Sequence, residues 1–125
     1  MFKSIKKNWE FKKVYNHGKY FVSPYTVVYL YPNKEGEKRL GITVSKKVGN
    51  SVERHRIKRI YKEVYRLNEA KIKNGYDIVL VARKKAAELD FKIAWNDLMG
   101  LFKKGKLLEK THKNENIKKN NGYCD

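Results

Sequence analysis

The chain has 125 residues, with 30 Lys and Arg against 13 Asp and Glu, for a formal net charge of +17. That length gives one domain with a core and excludes two ordinary ones; an apolar share of 41%, with 2 Trp, 9 Tyr and 5 Phe, excludes wholesale disorder. No apolar run approaches the ~20 residues of a membrane span, no signal-peptide pattern opens the chain, and a single cysteine, Cys124, excludes a disulfide framework or a multi-cysteine zinc site.

Residues 8–18 predict a short helix, because Phe11, Val14 and Tyr15 fall at i, i+3 and i+4 and Gly18 is placed to end it. A strand follows over 19–23, interrupted by Pro24. Residues 25–31 alternate, with Tyr25, Val27, Tyr29 and Tyr31 on one face and Thr26, Val28 and Leu30, the more conventional core set, on the other. A turn over 32–37 leads to a second alternating stretch, 39–45, with Leu40, Ile42 and Val44 on one side. Asn50 is a good N-cap with Glu53 three residues on, in the manner of a capping box, and the helix it opens is expected to run to about Lys73, where Asn74 and Gly75 stop it. Residues 76–82 form a nearly continuous apolar run, as in a strand buried on both faces. Leu89 or Asp90 opens a last helix with Phe91, Ala94, Trp95, Leu98, Leu101 and Phe102 at helical spacing. Beyond about Leu108 the chain is rich in Lys and Asn and loses periodicity, so 109–125 is expected to be a basic, disordered tail. The strands flanking the long helix cannot be hairpin neighbours; if adjacent in one sheet, they should be parallel.

The surplus charge calls for a polyanion, and nucleic acid is favoured over membrane because no helix obviously spares a bulky apolar face. On the long helix Arg54, Lys58, Lys62 and Arg66 repeat every fourth residue, each step turning only about 40°, and His55 and Arg59 fall in the same arc. Ile57, Ile60, Tyr61, Val64 and Leu67 occupy the opposite arc as a core face. Glu53 and Glu63 lie outside the cationic ridge, which no carboxylate is expected to interrupt. A solvated helix face usually mixes signs, gaining a few tenths of a kcal/mol per i,i+4 pair, whereas this row of like charges costs stability. A polyphosphate partner repays that cost most simply. Arg56 borders the apolar arc, either packing its stem or pointing toward the sheet. Tyr25, Tyr29 and Tyr31, near Phe11 and Tyr15, are candidates for stacking unpaired bases, although an aromatic stripe also serves as core.

No catalytic apparatus stands out. No two carboxylates sit at a spacing suited to a metal or an acid–base pair, and Walker, GxGxxG, HExxH and EF-hand patterns are absent. His55, flanked by Arg54 and Arg56, reads as a neutral hydrogen-bonding imidazole rather than a general base. Neither a catalytic nor a metal-ligating residue is assigned.

The run from Lys46 to Arg59, KKVGNSVERHRIKR, resembles the KK(V/I)GNAV.RNRIKR signature of the protein subunit of bacterial ribonuclease P, called the RNR motif. Supporting similarity extends over 11–18, 40–45 and 76–83, so that it covers about residues 5–105. His55 stands where the family has Asn; an imidazole replaces part of an amide's hydrogen bonding but offers no carbonyl oxygen to a metal or a base. The resemblance implies a single α+β domain over residues 1–108. Its element order would be αβββαβα, a sandwich like the second domain of ribosomal protein S5, with a left-handed βαβ crossover against the usual hand. It implies that a catalytic RNA hydrolyses the bond joining a precursor tRNA's 5′ leader to its mature end. The protein would bind that RNA through Lys46, Lys47, Arg54, His55, Arg56, Lys58, Arg59 and Lys62, with Arg66 added from the ridge, and the leader through Phe11, Tyr15, Val27 and Tyr29. It implies Mg²⁺ for the RNA-containing enzyme, no cofactor on the protein alone, no obligatory protein partner and a cytoplasmic site of action. The alternatives are a non-enzymatic ribosomal or assembly protein, and a duplex DNA binder that places the basic helix in a major groove.

Overall fold

In a computed structural model describing residues 2–109, the chain runs β1 (Lys3–Ser4), α1 (Asn8–His17), β2 (Lys19–Val22), β3 (Thr26–Pro32), β4 (Lys38–Thr43), α2 (Ser51–Asn68), β5 (Tyr76–Ala82) and α3 (Phe91–Lys104). The strands form one mixed sheet in the order β1-β4-β5-β3-β2. The apolar run of β5 sits at its centre, parallel to β4 and antiparallel to β3, with Val79 opposite both Gly41 and Tyr29. Ile78, Val79 and Leu80 are fully buried, as a strand covered on both faces requires. The expected parallel pairing of the strands around α2 is therefore present, and after the short β1 the elements follow the αβββαβα order.

Strand alternation divides the sheet into two faces. Thr26, Val28 and Leu30 of β3, Leu40 of β4 and Ile78 and Leu80 of β5 face α2 and α3, in a core completed by Ile57, Tyr61, Val64, Tyr65, Leu98 and Phe102. On the other face α1 covers a smaller cluster of Ile5, Val14 and Val79, with Phe11, Tyr15, Tyr29, Tyr31 and Val81 around it. The two helices on the main core are capped as their sequences ask. Asn50 accepts from the Glu53 N–H at 2.9 Å and Asp90 from the Ile93 N–H at 2.8 Å.

Four expectations are corrected. The N-terminal β1 was not foreseen; it pairs only Lys3 with Arg39 and Ser4 with Leu40, too short to leave an alternation in the sequence. The long helix ends at Asn68, not near Lys73, and a 3-10 turn over Glu69–Lys71 follows. There the buried Asn68 amide donates back to the Val64 carbonyl at 2.8 Å, and the chain swings to bury Ile72 beside Leu108. Leu67, placed in the apolar arc, is 49% exposed, because in the last turn Val64, Tyr65 and Asn68 take the buried side instead. Tyr25 does not share the face of Tyr29 and Tyr31. The Ser23 hydroxyl accepts from the Tyr25 and Thr26 N–H groups and turns Tyr25 toward the main core, under Lys85. Of the tail expected over 109–125, only Glu109 is described, its N–H bonded to the Lys71 carbonyl at 2.7 Å; the rest, with Cys124, lies outside the described residues.

One polar chain crosses the main core. Tyr61 Oη lies 2.6 Å from Thr26 Oγ1, which donates to Asp97 Oδ2 at 2.9 Å. Thr26 has one hydroxyl proton, so Tyr61 is the donor to it, and the chain joins α2, β3 and α3 in one direction. Burial pushes the Tyr61 phenol far above its ordinary range, which keeps that proton in place. Thr26→Val keeps the shape of the side chain but leaves the buried Tyr61 hydroxyl without its acceptor. It should cost about 1–3 kcal/mol of stability in urea unfolding, with an unchanged m-value.

Candidate nucleic-acid interface

The apolar arc of α2 fixes where its charges point. With Ile57, Tyr61, Val64 and Tyr65 pressed on the sheet, His55, Lys58, Arg59 and Lys62 are exposed and Arg54 is half-buried. Arg54, Lys58, Arg59 and Lys62 have no carboxylate partner among the described residues, so the row carries its full charge. Lys46 and Lys47, also exposed, lie on the turn that leads from the end of β4 to the N-cap of α2. These residues form one basic surface at the end of the sheet and along the solvent side of the helix.

Two of the residues expected to bind the RNA are engaged otherwise. Arg66 forms a two-pronged pair with Glu63, Nε to Oε1 at 3.0 Å and Nη2 to Oε2 at 2.6 Å, and the Arg66 hydrogen bond holds the Glu63 carboxyl below its ordinary range. The expectation of a ridge without carboxylates thus fails at its C-terminal end. On a helix wheel Glu63 lies outside the ridge, but residues three apart are neighbours one turn up, and both side chains are long enough to meet. Arg56 neither packs passively nor turns to the sheet. Its Nη1 donates to the Leu89 carbonyl at 2.7 Å, its Nη2 to the Ala87 carbonyl at 3.0 Å and to Glu53 at 3.2 Å, so it ties α2 to the segment before α3. This also explains why the capping box is only half made: the Glu53 carboxylate is turned to Arg56.

The aromatic cleft lies on the opposite face of the sheet, along one flank of α1. Phe11, Tyr15, Val27 and Tyr29 are all half-buried there. Tyr15 meets Tyr29 edge-on at 4.9 Å between centroids, Phe11 lies 6.2 Å from Tyr15, and the Tyr15 hydroxyl is 3.2 Å from Thr43 Oγ1. Gly41 makes room for this packing: a Cβ there would stand 2.7 Å from the Phe11 ring. Sequence reading missed Tyr20, which is 62% exposed, lies opposite Tyr29 on β2 and sets its ring 5.8 Å away at a 40° tilt, extending the aromatic floor. The cross-strand register carries that information, and local alternation does not. Tyr31 instead falls on the far flank of α1, with Lys13 Nζ 5.2 Å above its ring.

Charge anchors α1 at its first turn. Arg39 on β4 bonds the Glu10 carboxylate and also reaches Asp77 Oδ2 at 3.4 Å, and Asp77 accepts from the Asn33 amide at 2.9 Å. Glu10 additionally accepts from the Lys7 N–H at 3.2 Å. No three His, Cys, Asp or Glu side chains among the described residues converge so as to hold a metal ion, and no helix among them is long and apolar enough to cross a membrane.

Comparison with known proteins gives one consistent result. The family model described as Ribonuclease P matches residues 2–106. The chain is 43% identical over 107 residues to a ribonuclease P protein component of Natranaerobius thermophilus, covering 86% of this chain and 93% of that one. It is 47% identical over 103 residues to the Clostridioides difficile protein of the same description, covering 82% and 90%. Among solved structures, the Staphylococcus aureus RNase P protein superposes with a TM-score of 0.81 at 35% identity, covering 87% of this chain and 100% of that one. The Thermotoga maritima RNase P protein gives 0.75 at 31%, covering 82% and 96%.

The Glu10 carboxyl is held below its ordinary 4.5, chiefly by the hydrogen bond from Arg39 and, against the cost of burial, by the Lys7 and Lys6 N–H groups. A depressed carboxyl contributes stability that is fully present above its unfolded value and is lost as pH falls through the folded one. Glu10→Gln should therefore unfold at lower urea than the parent at neutral pH, and the gap between the two midpoints should close on acidification below 4.5.

Proposed function

The chain belongs to the ribonuclease P protein family, and from that premise we propose how its two surfaces divide the work of the enzyme. It is the protein subunit of an endoribonuclease that matures the 5′ ends of tRNAs, and the RNA subunit carries the chemistry. The observation that carries the division of labour is the row of unpaired cations Arg54, Lys58, Arg59 and Lys62, set on the opposite side of the sheet from the aromatic cleft. Phosphates of the catalytic RNA lie along α2 and the Lys46–Lys47 turn, and His55 adds a hydrogen-bonding imidazole among them. Each contact releases counterions from the RNA and screens its self-repulsion, so the folded RNA needs less free Mg²⁺. Arg56 acts as a positioning residue, holding α2 against the loop before α3, and Arg66 contributes little while Glu63 neutralises it.

The cleft takes the 5′ leader of precursor tRNA. Tyr29, flanked by Tyr15 and Tyr20 and floored by Phe11 and Val27, offers ring faces and edges to successive unpaired bases, a mode that tolerates sequence because every base has a π-face. Mg²⁺ supplies the hydrolytic chemistry when bound by the RNA. The protein's own residues bind and hold substrate, and the complex works in the cytoplasm. A purely structural RNA-binding role is disfavoured by the family match.

Reconstitution tests this reading. Protein freed of RNA should leave precursor tRNA uncut, and the cognate catalytic RNA alone should need high Mg²⁺. The two together should remove the leader at limiting Mg²⁺; cleavage by the protein alone would overturn it. Tyr29→Ala should weaken binding of leader-bearing substrate by about tenfold, within the roughly 1–3 kcal/mol of one stacked base, and leave mature tRNA binding unchanged. Equal losses for both tRNAs would remove the cleft from leader binding.

A further inference from the structure

A groove of about 290 Å³ runs between the cationic side of α2 and the β1–β4 edge of the sheet, on the face opposite the aromatic cleft. We propose that it receives the base of one unpaired nucleotide of the catalytic RNA while the cations at its rim hold the adjoining phosphates. This rests on the reading of the chain as an RNA-bound subunit and adds a structural demand that phosphate contacts alone do not make.

Three observations point to that occupant. The walls are apolar where they meet the sheet, formed by Phe2, Leu40 and Ile42, and the Phe2 ring is already fixed edge-on against Tyr65 at 4.8 Å between centroids. The rim on the helix side is His55, Lys58, Arg59 and Lys62, and no carboxylate lies among the lining residues. The volume is at the small end of ligand sites, which run from about 300 Å³ upward. An intact A-form helix has no base face to place here, since its bases are stacked on one another and present only their edges beside the phosphates and ribose hydroxyls. An unstacked nucleotide fits both halves at once: a flat, largely apolar ring for the slot and a phosphate on each side for the cations.

The sheet edge adds a means of reading the base. β1 pairs only with Arg39 and Leu40, its last bond running from the Ile5 N–H to the Leu40 carbonyl at 2.9 Å. Strand alternation turns the Ile42 N–H and carbonyl to the same edge, beyond the end of β1, at the groove. A donor and an acceptor on one strand edge match the hydrogen-bonding edge of a base, as in recognition of splayed-out RNA bases elsewhere.

Filling the slot without touching a charge is the direct test. Ser4 lines the groove from the exposed β1. Ser4→Trp should lower affinity for the cognate catalytic RNA by about tenfold, the worth of one buried base, with the slope of log affinity against log salt unchanged. Lys58→Ala should lower affinity and flatten that slope by roughly one contact. Base-specific chemical probing of the bound RNA should find a nucleotide protected by the parent chain and reactive with the Ser4→Trp chain. Should Ser4→Trp fail to fold, Ser4→Leu gives the same comparison. Parent-like affinity and parent-like protection with the slot filled would overturn the groove proposal alone. Failure of the parent chain to bind the catalytic RNA would instead remove the functional reading beneath it.

Discussion

Lys58 stands one helical turn from Arg54 and one from Lys62, and none of the three meets a carboxylate among the described residues. Like charges at this spacing cost a few tenths of a kcal/mol per pair. Burial of Ile57, Tyr61 and Val64 beneath them contributes about 1.5–3 kcal/mol for each large side chain, so the fold accommodates the repulsion without relieving it. A bound phosphate would relieve that repulsion, adding to the counterion release that favours binding. A chain of charge +17 carries many lysines, but what distinguishes α2 is that its packing face holds the free ones in line.

The central strand makes the two surfaces independent. β5 is buried on both sides, so Ile78 and Leu80 belong to the core under α2 and α3 while Val79 belongs to the cluster under α1. Each helix layer can then serve a different ligand: α2 turns its cations outward from one layer, and α1 leaves an aromatic cleft beside it on the other. Both are pinned by polar links between distant parts of the chain. Arg56 reaches the carbonyls before α3, the Tyr61–Thr26–Asp97 chain crosses the main core, and Arg39 ties Glu10 to the sheet. Rigid placement of charge is what separates a binding surface from a merely basic one.

Much of this was legible in the sequence because it follows local periodicity. The helical spacing of Phe11, Val14 and Tyr15, the Asn50 cap and the apolar run of β5 each reported on neighbours a few residues away, and the element order and both candidate surfaces followed. What was missed depends on contacts the chain does not encode locally. Tyr20 joins the cleft only through its register with Tyr29, and Tyr25 leaves it because Ser23 turns the backbone. The Glu63–Arg66 pair was hidden by a wheel that orders residues by angle and ignores their reach, and Arg56 found partners 31 and 33 residues away. The groove beside α2 needed the two-residue β1, which no pattern of alternation could announce.

The most direct measurement is the salt dependence of binding to the catalytic RNA for five single alanine variants. Arg54, Lys58 and Lys62 carry free charge, whereas Arg56 and Arg66 are committed to protein partners. If lined-up, unpaired charge is what the RNA reads, each of the first three variants loses roughly one unit of slope and the other two lose distinctly less. Equal slopes across all five would mean that only total charge matters, and would contradict the account.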